Sequence, residues 1–400
     1  MNKAMTFSIW TALVAVAVLL YPAGAVFAAD LSIKDFSGLA LPLIGIGGVV
    51  DIFDTRTMLE AVEQMKRPGR FLRDTFFPGF RQFDTEAVDV DIVKGKRRLA
   101  PYVSPLAEGK VVERIGFATN TIKPGYIKPK IPTSAGDLLK RQPGEVLYQG
   151  GLGIEGRAQQ QLGKDLAELL DMIDRREEWN AAQALNAGAV TMTVIGESGD
   201  QAVSVDFQMA AAHKITLSGT DLWSDSGSDP IADLAEWARL IRKDSGINPT
   251  DVVMGGDACV AFLGNATVQK FMDMRKVDLG MINPQQLEDG VTYVGTLKAP
   301  SLQIDVWTYD EWYIDESTGT ETNMVPANKV WLGSRRAQNS KLYAVIQDME
   351  AIEGGIAAAV QRFPKSWVTK DPSVRWLMIQ SAPLMALNQP DAFVSAQVLS

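Results

Sequence analysis

Few residues of this chain have side chains suited to catalysis. Among its 400 residues there is one cysteine, Cys259, and one histidine, His213. A zinc site built from histidine and cysteine needs more such ligands than the chain contains. A Ser-His-Asp triad would have to use His213, which lies between a predicted strand and a loop. The sequence therefore predicts that the chain is not an enzyme and needs no cofactor.

One glycine pattern has the spacing of a nucleotide-binding motif. Residues Gly151–Gly156 give G-x-G-x-x-G immediately before a long predicted helix. In a dinucleotide-binding domain the following acidic residue ends a second strand, whereas Asp171 and Asp174 lie within that helix. A P-loop would need Lys and Ser/Thr where Arg157 and Ala158 stand. We interpret the glycines as a hinge, with a nucleotide-binding enzyme as the alternative.

Two charged segments are candidate binding sites. Segment 310–323 carries five acidic residues, but it has no recognisable calcium-binding loop, so we predict a solvent-exposed loop. Segment 67–81 interleaves arginines with aromatic residues, as single-stranded nucleic-acid platforms do. The net charge of −9 argues against a phosphate-binding footprint. We therefore predict an arm that is held against a neighbouring subunit by side chains including Arg70, Phe71, Phe76 and Phe77.

A single long helix is predicted over residues 155–187, and the other elements are organised around it. No proline interrupts this stretch, and strong helix formers dominate it. Leucine and isoleucine side chains from Leu162 to Ile173 fall on one face, the opposite face is polar and charged, and Gly188 follows as a stop. Roughly 30 residues span about 45 Å. The pattern predicts a strut, and an ordinary amphipathic helix in a bundle is the alternative.

The segment before this helix has strand-like stretches but no core of its own. Alternating residues over 87–99 and 111–117 flank loops rich in proline and glycine. A two-stranded excursion of this kind is marginally stable alone. We expect another subunit to order it, with contacts between subunits at Tyr102, Pro124, Gly125, Tyr126 and Lys128.

The second half of the chain alternates strands with short helices. A hairpin is predicted over 190–207, and Asp229-Pro230 is typical of the start of a helix over 231–243. Further short strands and helices up to about residue 340 predict a compact α/β subdomain, inserted between two parts of another domain. The fold class is therefore α+β.

The N-terminus has the features of a secretory signal. A positive residue, Lys3, precedes the apolar run 7–20, and small residues near Ala28 offer a cleavage site. The run is short for a membrane span. On this pattern alone, a secreted or envelope-associated protein is the alternative function.

The C-terminal sequence is specific enough to resemble a known family. Arg362-Phe-Pro-Lys-Ser-Trp-Val-Thr, Met378-Ile-Gln-Ser-Ala-Pro-Leu-Met and Pro390-Asp-Ala-Phe-Val-Ser-Ala-Gln resemble the end of the phage capsid protein E family, the major capsid proteins of lambda-like tailed phages. Tyr102-Val-Ser-Pro and Pro124-Gly-Tyr-Ile-Lys-Pro-Lys resemble that family's extended loop in order and spacing.

The resemblance implies the capsid fold shared by tailed phages and herpesviruses, with an N-terminal arm, an extended loop, a peripheral domain with a long spine helix, and an axial domain. The implied layout is an apolar extension (1–50), the arm (51–82), the extended loop (83–137), the peripheral domain with the spine helix (138–224), the axial domain (225–340) and the C-terminal part of the peripheral domain (341–400).

The implied function is a structural subunit of the virion, assembled in the host cytoplasm. Copies would form the pentamers and hexamers of an icosahedral head around double-stranded DNA, which is packaged without specific binding. Implied partners are a decoration protein, a scaffold, a maturation protease and the portal. A secretion signal does not fit such a shell, so we expect residues 1–50 to be absent from the mature particle.

Overall fold

The computed structural model describes residues 52–65, 70–93, 99–100, 102–105, 108–109, 111, 117–140, 154–194, 201–273, 280–286, 290–299, 302–315, 318–355 and 360–400. The chain divides into two compact units, Met1–Val50 and Asp51–Ser400, and the described residues belong to the second. The prediction for the N-terminal extension and the first half of the predicted hinge at 151–156 lie outside the described residues. Residues 154–156 of that hinge begin a helix instead.

The described residues form a mixture of helices and strands. The helices are α1 (Thr55–Gln64), α2 (Phe71–Phe76), α3 (Ala135–Leu139), α4 (Ile154–Ala187), α5 (Pro230–Asp244), α6 (Gly256–Gly264), α7 (Ala266–Asp273) and α8 (Met349–Glu353). The strands are β1 (Gly79–Gln82), β2 (Val88–Val93), β3 (Phe117–Ile122), β4 (Lys130–Ser134), β5 (Ala189–Val194), β6 (Gln201–Asp206), β7 (Lys214–Thr216), β8 (Asp251–Met254), β9 (Gly280–Gln286), β10 (Val291–Ala299), β11 (Leu302–Tyr309), β12 (Trp312–Ile314), β13 (Glu321–Asn323), β14 (Lys329–Gly333), β15 (Ser340–Tyr343), β16 (Phe363–Thr369), β17 (Val374–Gln380), β18 (Pro383–Ala386) and β19 (Val394–Gln397). No helix within these residues is both long and apolar enough to cross a membrane.

Helix α4 confirms the predicted strut. It runs for 34 residues, and Gly188 ends it with a φ of 63°, in the left-handed region that glycine adopts readily. Its leucine face packs against Met58 and Val62 of α1 and against Leu377 and Ile379 of β17. The apolar stripe is therefore covered by an N-terminal helix on one side and a C-terminal strand on the other.

A seven-stranded sheet forms the second centre of the fold. Its strand order is β7-β19-β14-β8-β11-β10-β9, and α5, α6 and α7 contribute to the apolar core on it. Because β7 comes from residues 214–216 and β19 from 394–397, this sheet extends beyond the predicted axial segment 225–340. Strands from both sides of that segment complete the sheet.

The start of α5 agrees with the sequence pattern. Asp229 caps the helix, because its Oδ1 accepts hydrogen bonds from the backbone N–H groups of Ile231 and Ala232 at 3.1 Å each. Pro230 occupies the first position, where no backbone N–H is needed.

The base of the extended loop is anchored in its own chain, which corrects the expectation that it has no core. Strand β2 pairs with β3, and Val88, Val90 and Ile92 are buried in the main apolar core. Strand β4 pairs with β17 near the C-terminus. The strand that pairs with β2 runs over Phe117–Ile122, and most of the predicted run 111–117 lies outside the described residues.

Two further expectations are corrected. Segment 310–323 is not a solvent loop throughout, because β12 and β13 pair as a hairpin and Glu311 is engaged inside the subunit. His213 is fully buried in a 3₁₀ turn; its Nδ1 lies 2.8 Å from the carbonyl oxygen of Phe393 and its Nε2 lies 3.0 Å from Asp244 Oδ2. This histidine is engaged on both ring nitrogens.

Candidate functional site: a buried charge network on the spine helix

The polar face of α4 is buried where the N-terminal arm crosses it. Asp174, Glu177 and Glu178 are 1%, 0% and 0% exposed. They share one face because residues three and four apart on a helix are neighbours. Burying carboxylates is costly unless cations and hydrogen-bond donors surround them. The surroundings of these three side chains therefore decide whether this region of the fold is stable.

Two arginines from opposite ends of the chain meet two of these acids. Arg73 Nη1, from α2, lies 2.6 Å from Asp174 Oδ1 and 2.8 Å from Glu177 Oε2. Arg362 Nη2 contacts Asp174 Oδ1 and lies 3.1 Å from Glu177 Oε2. Tyr343 Oη donates to Glu177 Oε1 at 3.1 Å. The spine helix is thus bound to both the arm and the C-terminal part.

A third arginine connects the arm to the hairpin region near residue 311. The buried Arg70 donates from Nη1 to Glu311 Oε1 at 2.9 Å, and its Nη2 contacts Asp171 Oδ1 on α4. Asp171 also accepts from Arg175 Nη2 at 2.7 Å. Arg70 therefore holds the arm to the spine helix and to the region before β12.

Glu178 binds the arm through its backbone. Its Oε1 accepts from the Leu72 N–H at 2.8 Å and its Oε2 accepts from the Arg73 N–H at 2.9 Å. Tyr309 Oη lies 3.0 Å from Glu178 Oε1. Burial raises the pKa of Glu178 from 4.5 to about 7, because it outweighs the opposing effect of the hydrogen bonds from Arg73, Leu72 and Tyr309.

The edge of the network is partly exposed. Asp74 lies 3.0 Å from both Arg73 Nη2 and Lys341 Nζ. Partial burial raises the pKa of Asp74, but Arg73 and Lys341 outweigh burial and hold it at about 2. This carboxyl is therefore ionised at neutral pH and adds a link between α2 and β15.

The network holds distant segments of the chain together. It joins the arm, the spine helix, the region before β12 and the C-terminal strands at one place, so these segments keep fixed positions relative to one another. Among the residues that the structure describes, no group of three or more His, Cys, Asp and Glu side chains is placed to hold a metal ion.

The predicted contact residues of the arm lie inside the subunit. Arg70, Phe76 and Phe77 are buried in their own chain, and Phe71 packs 5.1 Å from Trp307 between ring centroids. Phe76 lies edge-on to Phe393 at 5.7 Å. These side chains are engaged within their own chain, and their contact with a neighbouring subunit stays a prediction.

The predicted residues of the extended loop lie nearer the surface. Tyr102 is fully exposed, and Pro124 and Gly125 are partly buried. Tyr126 accepts a hydrogen bond from the Gln347 N–H at 2.7 Å, and Lys128 Nζ lies 4.4 Å from the centre of its ring. Tyr102 is therefore open to solvent, whereas the segment that includes Tyr126 contacts its own C-terminal region.

The central residues of the network were not predicted from the sequence. Glu177 and Glu178 fall on the charged face of the predicted helix, and Arg362 was noted only as the start of the family-like C-terminal run. One signal was available. Acidic residues at positions 174, 177 and 178 form a helix face for which arginines are suitable partners, and segment 67–81 is rich in them.

The sequence matches known capsid proteins along most of its length. The family model for phage major capsid protein E matches residues 54–398. The chain is 32% identical over 357 residues to the major capsid protein of Escherichia phage lambda, covering 87% of this chain and 100% of that protein. It is 31% identical over 359 residues to the major capsid protein of Enterobacteria phage P21, covering 87% and 99%. These relatives lend no support to a secreted protein.

Solved structures show the same fold. A prophage capsid protein from E. coli CFT073 superposes with a TM-score of 0.65 at 20% identity, covering 86% of this chain and 99% of that one. This likeness confirms the α+β capsid fold that the sequence predicts. The chain belongs to the phage major capsid protein E family.

Proposed function

We propose that this chain is the principal structural subunit of an icosahedral phage head, and that its copies join into pentamers and hexamers around double-stranded DNA. The observation that carries the proposal is the family match, which spans residues 54–398 and therefore includes every helix and strand that the structure describes. A function in assembly agrees with a site that holds distant segments of the chain together.

The exposed part of the extended loop supports assembly with further copies. Leu99, Tyr102 and Val111 are 97%, 105% and 92% exposed. Single exposed apolar side chains are normal, but three on one loop are unfavourable in water and are typical of a surface that another molecule covers. The base of the loop is anchored by β2 and β4, so the loop extends from a fixed position.

The layout implied by the resemblance completes the proposal. The arm is 51–82, the extended loop 83–137, the peripheral domain 138–224 together with 341–400, and the axial domain 225–340 with strands added from outside it. Tyr102 makes contacts between subunits, with Pro124, Gly125, Tyr126 and Lys128 at the base of the same loop. Residues 1–50 are absent from the mature particle, through proteolysis or a start further along the chain.

The partners follow from the same function. A scaffold and a maturation protease act during assembly, a portal occupies one vertex, and a decoration protein stabilises the finished head. The net charge of −9 supports a wall that holds its DNA without specific binding, because like charges repel. We expect denaturing gels of particles to show monomers, without covalent cross-links.

Electron microscopy of the expressed chain tests the proposal. We expect closed shells from the wild type and from Tyr102→Phe, which keeps the aromatic ring. Tyr102→Asp places a charge on the surface to be covered and should reduce the yield of shells, while its unfolding temperature stays that of the wild type. A chain that stays monomeric under all assembly conditions would refute the proposed function.

A further inference from the structure

Two carboxyl groups, one fully buried and one partly buried, meet at one phenol between the spine helix and the region before β12. Tyr309 Oη lies 3.0 Å from Glu178 Oε1 and also contacts Glu311 Oε2. Tyr309 is fully buried, and Glu178 is 0% exposed. A phenol has one hydrogen and donates one such bond, so only one of the two carboxylates receives it. If both carboxyl groups were ionised, the second carboxylate oxygen and the phenol oxygen would face each other with lone pairs and no hydrogen between them.

We propose that Glu178 binds a proton, so that Glu178, Tyr309 and Glu311 form a relay of two donated hydrogen bonds that fastens the spine helix to the region before β12. In this relay the protonated Glu178 donates from Oε1 to Tyr309 Oη, and Tyr309 donates to the Glu311 carboxylate. Arg70 Nη1 lies 2.9 Å from Glu311 Oε1, so a cation already faces that carboxyl group, whereas Glu178 accepts from uncharged backbone N–H groups. Glu178 still accepts the two backbone hydrogen bonds from the arm.

Charged groups surround the relay. The carboxyl groups connected in this network include Asp74, Asp171, Asp174, Glu177, Glu178 and Glu311, and the cations include Arg70, Arg73, Arg175, Lys341 and Arg362. Glu178 itself accepts from the backbone N–H groups of Leu72 and Arg73, which are uncharged donors. A fully buried carboxylate held by uncharged donors carries a desolvation penalty, which a bound proton removes.

The pKa values support this placement. Burial, Glu178 and Glu311 raise the pKa of Tyr309 far above its ordinary value, so the phenol keeps its hydrogen. Burial raises the pKa of Glu178 to about 7. Because this folded value lies above the ordinary 4.5, the stabilisation is complete below about pH 4.5 and is lost as pH rises through about 7. Release sends the proton to solvent and leaves two carboxylates facing one phenol hydrogen.

Infrared spectroscopy of the purified full chain tests the proton directly. We expect the C=O stretching band of a protonated carboxyl group at pH about 6. The band should disappear at about pH 9 and should be missing from Glu178→Gln at either pH. A wild-type spectrum without a band that responds to this pH change would overturn the proposal, and this measurement needs no variant to fold.

Urea unfolding gives a second readout. The wild-type midpoint should move to lower urea between pH about 6 and about 8, and Glu178→Gln should lose this shift. Asp165→Asn is the matched control, because Asp165 is a buried carboxyl on the same helix that contacts Gln161 and Thr133 instead of Tyr309. An equal loss of the shift in Asp165→Asn would contradict the assignment to Glu178. The outcome does not depend on assembly, so it is separate from the test of the proposed function.

Discussion

Removing Arg73 should destabilise the subunit more than removing any surface arginine. Arg73 Nη1 lies within 2.8 Å of both Asp174 and Glu177, which are 1% and 0% exposed. In Arg73→Leu these carboxylates keep Arg362 as their remaining cation. Breaking a buried ion pair by removing one partner costs about 3–5 kcal/mol, because it leaves a charge without compensation. We expect a loss of about that size in the free energy of unfolding.

The control is Arg175, an arginine on α4 whose ion pair is exposed. Arg175 Nη2 lies 2.7 Å from Asp171 Oδ2, and the two side chains are 44% and 37% exposed. Exposed pairs contribute about 0–1 kcal/mol. Arg175→Leu should therefore change the unfolding free energy by no more than about 1 kcal/mol, although the charge removed is the same.

Urea unfolding of the full chain, followed by circular dichroism, measures both variants against the wild type. The difference between the Arg73 and Arg175 variants should be at least about 2 kcal/mol. If the two variants lose equal stability, the buried network does not hold the arm to the spine helix, and the reasoning about its charges is refuted.

Two further substitutions test local features of the fold by thermal unfolding. Gly188→Ala should lower the free energy of unfolding by more than about 1 kcal/mol, because Gly188 has a φ of 63° and a Cβ there would lie 2.4 Å from Met209 Cβ. An unchanged unfolding temperature would show that the helix does not end as described. Asp229→Ala should cost about 1 kcal/mol, because the Ile231 and Ala232 N–H groups lose their acceptor. Asp229→Asn keeps an acceptor and should recover most of the lost stability. If Asp229→Asn is as unstable as Asp229→Ala, the side chain at 229 does not cap the helix.

Sequence patterns predicted the elements whose stability is local. Helix α4, the capped helix α5 and the hairpin of β5 and β6 were identified from periodicity, capping and turn residues, because these signals depend on neighbouring residues. The long helix also follows from the absence of proline over more than 30 positions. Such elements need little information from distant parts of the chain.

Features that join distant residues were not predictable in the same way. Strand β7 pairs with β19 across about 180 residues, and Arg362 meets Glu177 across 185. A local sequence pattern does not indicate which distant segment covers a helix face. The acidic side of α4 was therefore interpreted as polar surface. The arm residues Phe76 and Phe77 were assigned to a neighbour for the same reason, although their own subunit buries them.

The central claim is that other copies of the chain cover the exposed extended loop. A photoreactive phenylalanine derivative incorporated at position 102 during expression tests this directly. The particles are purified and then exposed to light. Because Tyr102 is fully exposed in the single chain, we expect covalent dimers on denaturing gels of assembled particles and none from dilute monomers. Cross-links confined to one chain in assembled particles would contradict the claim.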